Sequence, residues 1–503
     1  MKTTLKSILI LSLWMLQYAV VLAQTDALDD SYPYDEEVVP EVVAIPDTTW
    51  DYYPTYTAYE AMMAGFAVQY PSLCRLVSFD TLTSGRRLLA LVISDNVDSS
   101  EAEPRFLYTS SMHGDELVGY VMLLRMADHL LTKYGSDSLA TRLVNDLEIW
   151  INPLANPDGT FRSGNHTVSG AWRYNANSID INRNFPDPED GPHPDGNAWQ
   201  QETVAFMALA AAQKFNMSAN IHGGAEVCNY PWDTWPQLPA DDLWWQYVCN
   251  MYADSAQFYG PAGYFNDFGT GVTNGYDWYS IDGGRQDYMN YFHLCREFTL
   301  EISNTKKPAA ALLPGFWNSN YRSLLNYLDQ ARFGVRGKVL DSITGMPVHT
   351  KVFIQGHDID SSHVWSRMPY GDYYRYLFAG TYTLTFSAGG YHSRSFPGVF
   401  VTNNAMTWLD VKLMPTSIGT DDLTTIQARL WYDAVQNALR VEPSVPGEGH
   451  WWLRIFSSSG KLIAQEEVSD AFVIPHHWRS GLYVANLVTG EGKGVTLKFV
   501  VTR

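Results

Sequence analysis

The chain has 503 residues, 46% of them hydrophobic, 14% aromatic and only 17% charged. That is more than one hydrophobic core usually holds, and it excludes disorder over most of the length. The formal net charge of −20 argues against a general affinity for nucleic acid or anionic membrane, which needs clustered Lys and Arg, and suits a cationic partner better.

In chain order, residues 1–23 carry Lys2 and Lys6, then the apolar run ILILSLWMLQYAVVLA, ending in Val21-Leu22-Ala23. This predicts a secretory signal removed before Gln24, with an uncleaved N-terminal anchor as the alternative. Residues 24–55 are acidic and punctuated by prolines, as in a pro-segment or lead-in. Cys74, Cys228, Cys249 and Cys295 make an even number in an exported chain. They permit three pairings between which the sequence does not choose.

From Tyr56 to about residue 333, strand-like runs (RFLYTSS, DLEIWINPL, MSANIHGG, REFTLEIS) alternate with helix-like ones (ELVGYVMLLRMADHLLTKY, TVAFMALAAAQKF). The alternation predicts an α/β domain over 56–333 whose mixed, mostly parallel sheet is flanked by helices. Residues 334–415 change to short alternating strands with turn residues, a small all-β module. Residues 425–503 repeat that character, with hairpins expected around Ser459-Gly460 and within SGLYVANLVTGEGKGVTLKFVVTR.

The chemistry-bearing residues lie where strand-like runs end. A catalytic zinc needs three protein ligands and one open position. His113 and Glu116 of HGDE supply two candidates. His222 is the best third, because it too ends a strand-like run, before two glycines that let a backbone or substrate approach. Alone, this spacing also fits a solvated polar loop. Arg183 offers a fork that matches a carboxylate, or a structural ion pair. Glu301, in an otherwise apolar strand, is either paired with a cation or catalytic.

With these residues in place, the sequence resembles the zinc metallocarboxypeptidases of the pancreatic carboxypeptidase superfamily, and most of all the branch with carboxypeptidases E, N, M and D. The segments HGDE, NPDG, DINRNFPD, HGGAEVCNYPWD, WYSIDGGRQD and REFTLE follow that branch's order from His113 to Glu301.

The resemblance implies the carboxypeptidase fold and one Zn2+ held by His113, Glu116 and His222, with Asp180 orienting the first histidine. Glu301 matches the general base that takes a proton from the zinc-bound water and returns it to the leaving amine. Arg173 of GAWRYNANS matches the arginine that polarises the scissile carbonyl. Asn182, Arg183 and Tyr279 match the clamp on the substrate's C-terminal carboxylate. Tyr279 is assigned by its WY context and its spacing ahead of Glu301, with Tyr276, Tyr288 and Tyr291 as structural alternatives.

Asp233 matches the pocket aspartate of the members that remove Lys and Arg, and Gln286 a residue of the same pocket. Arg285, where the branch has methionine, departs from the pattern. It is expected to repel a basic substrate or to pair with Asp282 or Asp287. The run TWPQLPADDLWWQYV after Asp233 also departs from the branch's acidic one.

Residues 334–415 resemble the transthyretin-like β-sandwich that follows the catalytic domain in this branch. Residues 425–503 resemble the C-terminal sorting domain of type IX secretion in Bacteroidetes. The expectation is a secreted or bacterial cell-surface zinc carboxypeptidase that acts on peptide or protein C-termini and releases Lys or Arg. A broad or apolar pocket is one alternative, and a surface protein that binds C-termini without turnover is another.

Overall fold

The computed structural model describes residues 49–416, 428–433, 438–443, 451–458, 461–468, 472–475, 481–489 and 494–501. The predicted signal, most of the lead-in, and the turns expected at Ser459-Gly460 and between the last two strands lie outside the described residues. Among the described residues, no helix is long and apolar enough to cross a membrane.

An eight-stranded sheet forms the centre of the α/β region. Its strands are β1 (Cys74–Thr81), β2 (Arg87–Ile93), β3 (Arg105–Ser110), β4 (Glu148–Asn152), β5 (Met217–His222), β6 (Glu226–Tyr230), β7 (Val272–Asn274) and β8 (Arg296–Ile302). They lie in the order β1-β2-β4-β3-β5-β8-β6-β7. The centre, β4-β3-β5-β8, is parallel, and antiparallel pairs join β1 to β2, β2 to β4 and β8 to β6. This is the mixed, mostly parallel sheet the sequence predicts.

Helices α1 (Tyr56–Gln69), α2 (Val118–Lys133), α3 (Gln201–Gln213), α4 (Asp242–Tyr259), α5 (Arg285–His293) and α6 (Leu313–Gln330) cover both faces. α1, α2, α4 and α6 pack on one face, while α3 and α5 pack on the other with Trp150 and Phe215.

Alternation along β5 and β8 decides where the chemistry lies. Met217, Ala219 and Ile221, with Phe298, Leu300 and Ile302, enter the larger core. The period of two therefore turns Ser218, Asn220 and His222, with Glu297, Thr299 and Glu301, to the opposite face. His222 and Glu301 are register partners at the carboxyl end of the parallel strands, where open α/β sheets place their sites.

Beyond α6, β-structure begins at Gly334–Asp341, which pairs with Asp372–Arg375, Met406–Trp408 and Val411–Leu413. A second sheet joins Lys351–Ile354 to Val364–Trp365 and Gly380–Ser387, which pairs with Arg394–Val401. Val335, Val352, Tyr373, Leu384, Phe386 and Val401 form the core between the two sheets. A buried charge cluster ties this region to the α/β region. Asp241 accepts from Arg296 Nη2 and Arg375 Nη1, both at 2.7 Å, and lies 3.0 Å from His357 Nε2. The last β-region contains the antiparallel pairs Trp451–Ser457 with Leu462–Val468 and Gly481–Thr489 with Gly494–Val501.

Candidate active site

His113, Gly114 and Glu116 follow β3 in a loop interlocked with the NPDG turn. Gly114 is needed for close approach, because a Cβ there would lie 2.5 Å from the backbone of Gly159 and Thr160. The contact is fixed by a hydrogen bond from the Thr160 hydroxyl to Gly114 O (2.8 Å) and another from Gly114 N to Arg173 O (3.2 Å).

The loop turns two ligand atoms towards the end of β5. His113 Nδ1 and His222 Nδ1 are 3.1 Å apart, and Glu116 lies 2.9 Å from the first through Oε1 and 2.8 Å from the second through Oε2. All three residues are buried, with one donor atom from each within 4.8 Å of the others. Two imidazole nitrogens and a carboxylate converging on one point suit a divalent zinc, which takes neutral nitrogen and anionic oxygen ligands in a tight shell.

The three side chains set one another's protonation. Burial pushes His222 down to about 4 despite Glu116, so its ring is neutral at pH 7. Burial would raise the Glu116 carboxyl, but His113 and His222 hold it well below the usual range. Burial likewise works against a charged His113, and Glu116 and Asp180 outweigh it.

Asp180 receives His113 Nε2 at 3.1 Å and Arg173 Nε at 2.8 Å, so one carboxylate orients both side chains. Arg173 Nη1 lies 3.2 Å from His113 Nδ1, which puts the guanidinium at the edge of the ligand set. Glu301 stands beside them. Its Oε2 is buried with no hydrogen-bond partner. Burial first, then the Glu116 charge, pushes its carboxyl up to about 8.

On the α5 side, Asn182 Oδ1 accepts from Arg285 N (2.9 Å), and Arg183 Nη1 donates to Asn182 O (2.7 Å). Tyr279 is 45% exposed. Burial raises its phenol, which also feels Arg183, Glu301 and Asp233. Two of the alternative tyrosines are otherwise engaged. Tyr288 packs on Phe185 and Tyr291 on Trp232 and Trp235, while Tyr276 is exposed like Tyr279.

Asp233 is 2% exposed and accepts from Asn229 Nδ2 at 2.9 Å. Gly275 makes room for it, since a Cβ there would lie 1.9 Å from Asp233 Oδ1. Built on Gly284, a Cβ would lie 3.5 Å from Asp233 Oδ2 and 4.0 Å from Asn182 Oδ1, so the pocket carboxylate is next to the clamp. Burial pushes Asp233 up to about 6, with Asn229 and Arg183 opposing and Asp187 and Glu297 adding to the rise. Gln286 Oε1 accepts from Thr299 N (2.7 Å). Gln286 Nε2 and Asn229 Oδ1 are buried without partners.

One expectation is corrected. Arg285 neither pairs with Asp282 or Asp287 nor faces a substrate: it is buried in a two-pronged pair with Glu297, at 3.0 and 2.9 Å. Glu297 is on the polar face of β8, and Ser218 donates to the same carboxylate at 2.6 Å. The four cysteines are buried free thiols.

Three residues join the site without having been foreseen. Asn220 lies 2.7 Å from His222 Nε2, Lys306 Nζ is 3.0 Å from Glu116 Oε1, and Asn229 supports Asp233. The alternation of MSANIH marks Asn220 as sharing the His222 face. Nothing in ISNTKKP marks Lys306.

Comparison with known proteins agrees with this geometry. The family profile described as zinc carboxypeptidase matches residues 59–323. Carboxypeptidase D of Rattus norvegicus is 36% identical over 348 residues, 66% of this chain and 25% of that protein. The chain thus spans about a quarter of the carboxypeptidase D sequence. Carboxypeptidase M of Mus musculus is 34% identical over 349 residues, 66% of this chain and 77% of that protein. The crystal structure of thrombin activatable fibrinolysis inhibitor is similar in fold. Its TM-score is 0.50 at 13% identity, over 60% of this chain and 79% of that one. The profile covers more than half of the chain, and the chain belongs to the zinc carboxypeptidase family.

Proposed function

We propose that this protein is an exported zinc-dependent carboxypeptidase that hydrolyses the C-terminal peptide bond of peptides or proteins and releases Lys or Arg. The observation that carries the basic preference is Asp233. It is a buried carboxylate with no cation in hydrogen-bond contact, next to an Asn229 Oδ1 that lacks a donor and behind Asn182 and Arg183. A buried carboxylate is costly unless a cation joins it, and a lysine or arginine side chain brings both charge and donors. Arg285, which would have opposed such a substrate, turns its Nε and Nη2 to Glu297.

Zinc held by His113, Glu116 and His222 would supply Lewis acidity and make water nucleophilic at neutral pH. Asn182, Arg183 and Tyr279 bind the terminal carboxylate and so fix which peptide bond enters the site. Arg173, oriented by Asp180, donates to the scissile carbonyl oxygen as negative charge develops on it. Glu301 takes a proton from the attacking water and gives it to the departing amine. The enclosed Oε2 and the raised carboxyl suit a group that must hold a proton for part of the cycle.

Export would use the 1–23 leader and the 425–503 region as a type IX sorting module, leaving the protein released or attached at the cell surface. The 334–415 region would be the transthyretin-like companion of the enzyme. Secretion in a type IX-competent bacterium, with and without residues 425–503, checks this part. Retention of the truncated protein inside the outer membrane is expected, and unchanged export contradicts it.

The activity is tested with matched peptides ending in Arg, Lys, Phe, Leu or Glu, each with a zinc chelator and with zinc restored. Chelator-sensitive release of Arg and Lys is expected. Release led by Phe or Leu would discard the basic pocket, and binding of peptides without release would favour a non-catalytic receptor for C-termini.

A further inference from the structure

The Asp233 pocket is held by a second buried carboxylate. Asp287, on α5, is fully enclosed. Its oxygens accept Asp233 N at 3.1 and 2.9 Å and Thr234 N at 2.8 Å. The Thr234 hydroxyl continues to Asp187 Oδ1 (3.2 Å), and Asp187 Oδ2 accepts from Gly283 N (3.0 Å). The same backbone is fixed from the other side by Tyr276 N to Trp232 O (2.9 Å) and Ile281 N to Asp233 O (3.2 Å). Three segments, around Asp187, Thr234 and Gly283, thus meet on two buried carboxylates.

Neither Asp287 nor Asp187 forms an ion pair among the described residues, and Arg285, two residues before Asp287, pairs with Glu297 instead. Resting on the basic-specificity reading above, we infer that Asp287 is the positioning residue of the specificity pocket: it clamps the Asp233–Thr234 backbone so that the Asp233 carboxylate faces the substrate side chain. Oδ2 accepts from both consecutive N–H groups while Oδ1 takes a second bond from Asp233 N, a fork that an amide, with one oxygen, keeps only in part.

The titratable groups around Asp233 are Arg183, Asp187, Glu297 and Asp287. Of these, Asp287 holds the Asp233 backbone, so replacing it by asparagine should loosen the carboxylate.

The test is steady-state hydrolysis by zinc-loaded wild type and Asp287→Asn of two peptides differing only in a terminal Arg or Leu, from pH 5 to 8. The expected result is a KM for the Arg peptide raised about tenfold at pH 7.5, with its kcat and both constants for the Leu peptide within about twofold. Equal losses on both peptides, or an unchanged Arg KM, would overturn the inference.

If Asp287→Asn does not fold, Asp287→Glu, which keeps the carboxylate but displaces it by one methylene, should lower the Arg-to-Leu preference about threefold. An unchanged preference overturns the inference as well. A wild type with no preference for Arg overturns the basic-specificity reading itself, and this inference with it. A wild type that prefers Arg, alongside an Asp287→Asn that keeps the full preference, overturns this inference alone.

Discussion

Two buried charge clusters in this molecule are made of the same residue types and do opposite work. At the junction with the β-region, Asp241 is matched by Arg296 and Arg375, with His357 close by, and Arg375 also reaches Asp358. Burial would raise Asp241, yet Arg375 and Arg296 keep its carboxyl far below the usual range. In the candidate active site, Glu116 and Asp180 are likewise held ionised, but Glu301 and Asp233 have carboxyls pushed up to about 8 and about 6. A cluster whose charges close on one another is a joint. One with carboxylates left over is ready for a proton, a metal or a cationic ligand.

The contrast can be broken at either end. The largest effect is expected for Glu301→Gln, which should lower kcat about 10³-fold while zinc content, read by metal analysis, stays at one ion per chain. At the junction, Arg375→Met leaves Asp241 and Asp358 short of a buried partner. It should cost about 3 kcal/mol in urea unfolding, with the metal ligands untouched.

Asp233→Asn should reduce kcat/KM for Arg-terminated peptides about 10²-fold and for Leu-terminated ones less than threefold. In the wild type, Asp233 is ionised above about pH 6 and protonated below it. Affinity for basic peptides should therefore be present above that pH and fade as pH falls through it, read as a rising KM. The smallest effect is expected for Lys306→Met. This half-exposed ammonium flanks Glu116, and its loss should change kcat/KM by no more than about fivefold.

Much of this was legible in the sequence because the sheet's period of two is written in it. MSANIH and EFTLEI alternate apolar and polar residues, so the face carrying His222 also carries Asn220, Glu297, Thr299 and Glu301. The ligand loop was legible as HGDE at the end of a strand-like run, whereas the close pass of Gly114 against Gly159 and Thr160 is set by the fold. What stayed hidden were pairings across the fold. Arg285 has acidic neighbours at 282 and 287, yet helix α5 turns its side chain to Glu297 on β8. Local charge spacing cannot anticipate a partner supplied by another element. Lys306 was missed for a related reason, since the chain must turn back after β8 before its amine meets Glu116.

The most direct measurement is anomalous X-ray diffraction at the zinc absorption edge from crystals grown with zinc. One strong peak is predicted within bonding distance of His113 Nδ1, His222 Nδ1 and the Glu116 carboxylate, with Glu301 close by but not a ligand. A peak coordinated by Glu301, or none at these three residues and one instead at the acidic group Asp95, Glu101 and Glu103, would contradict the account.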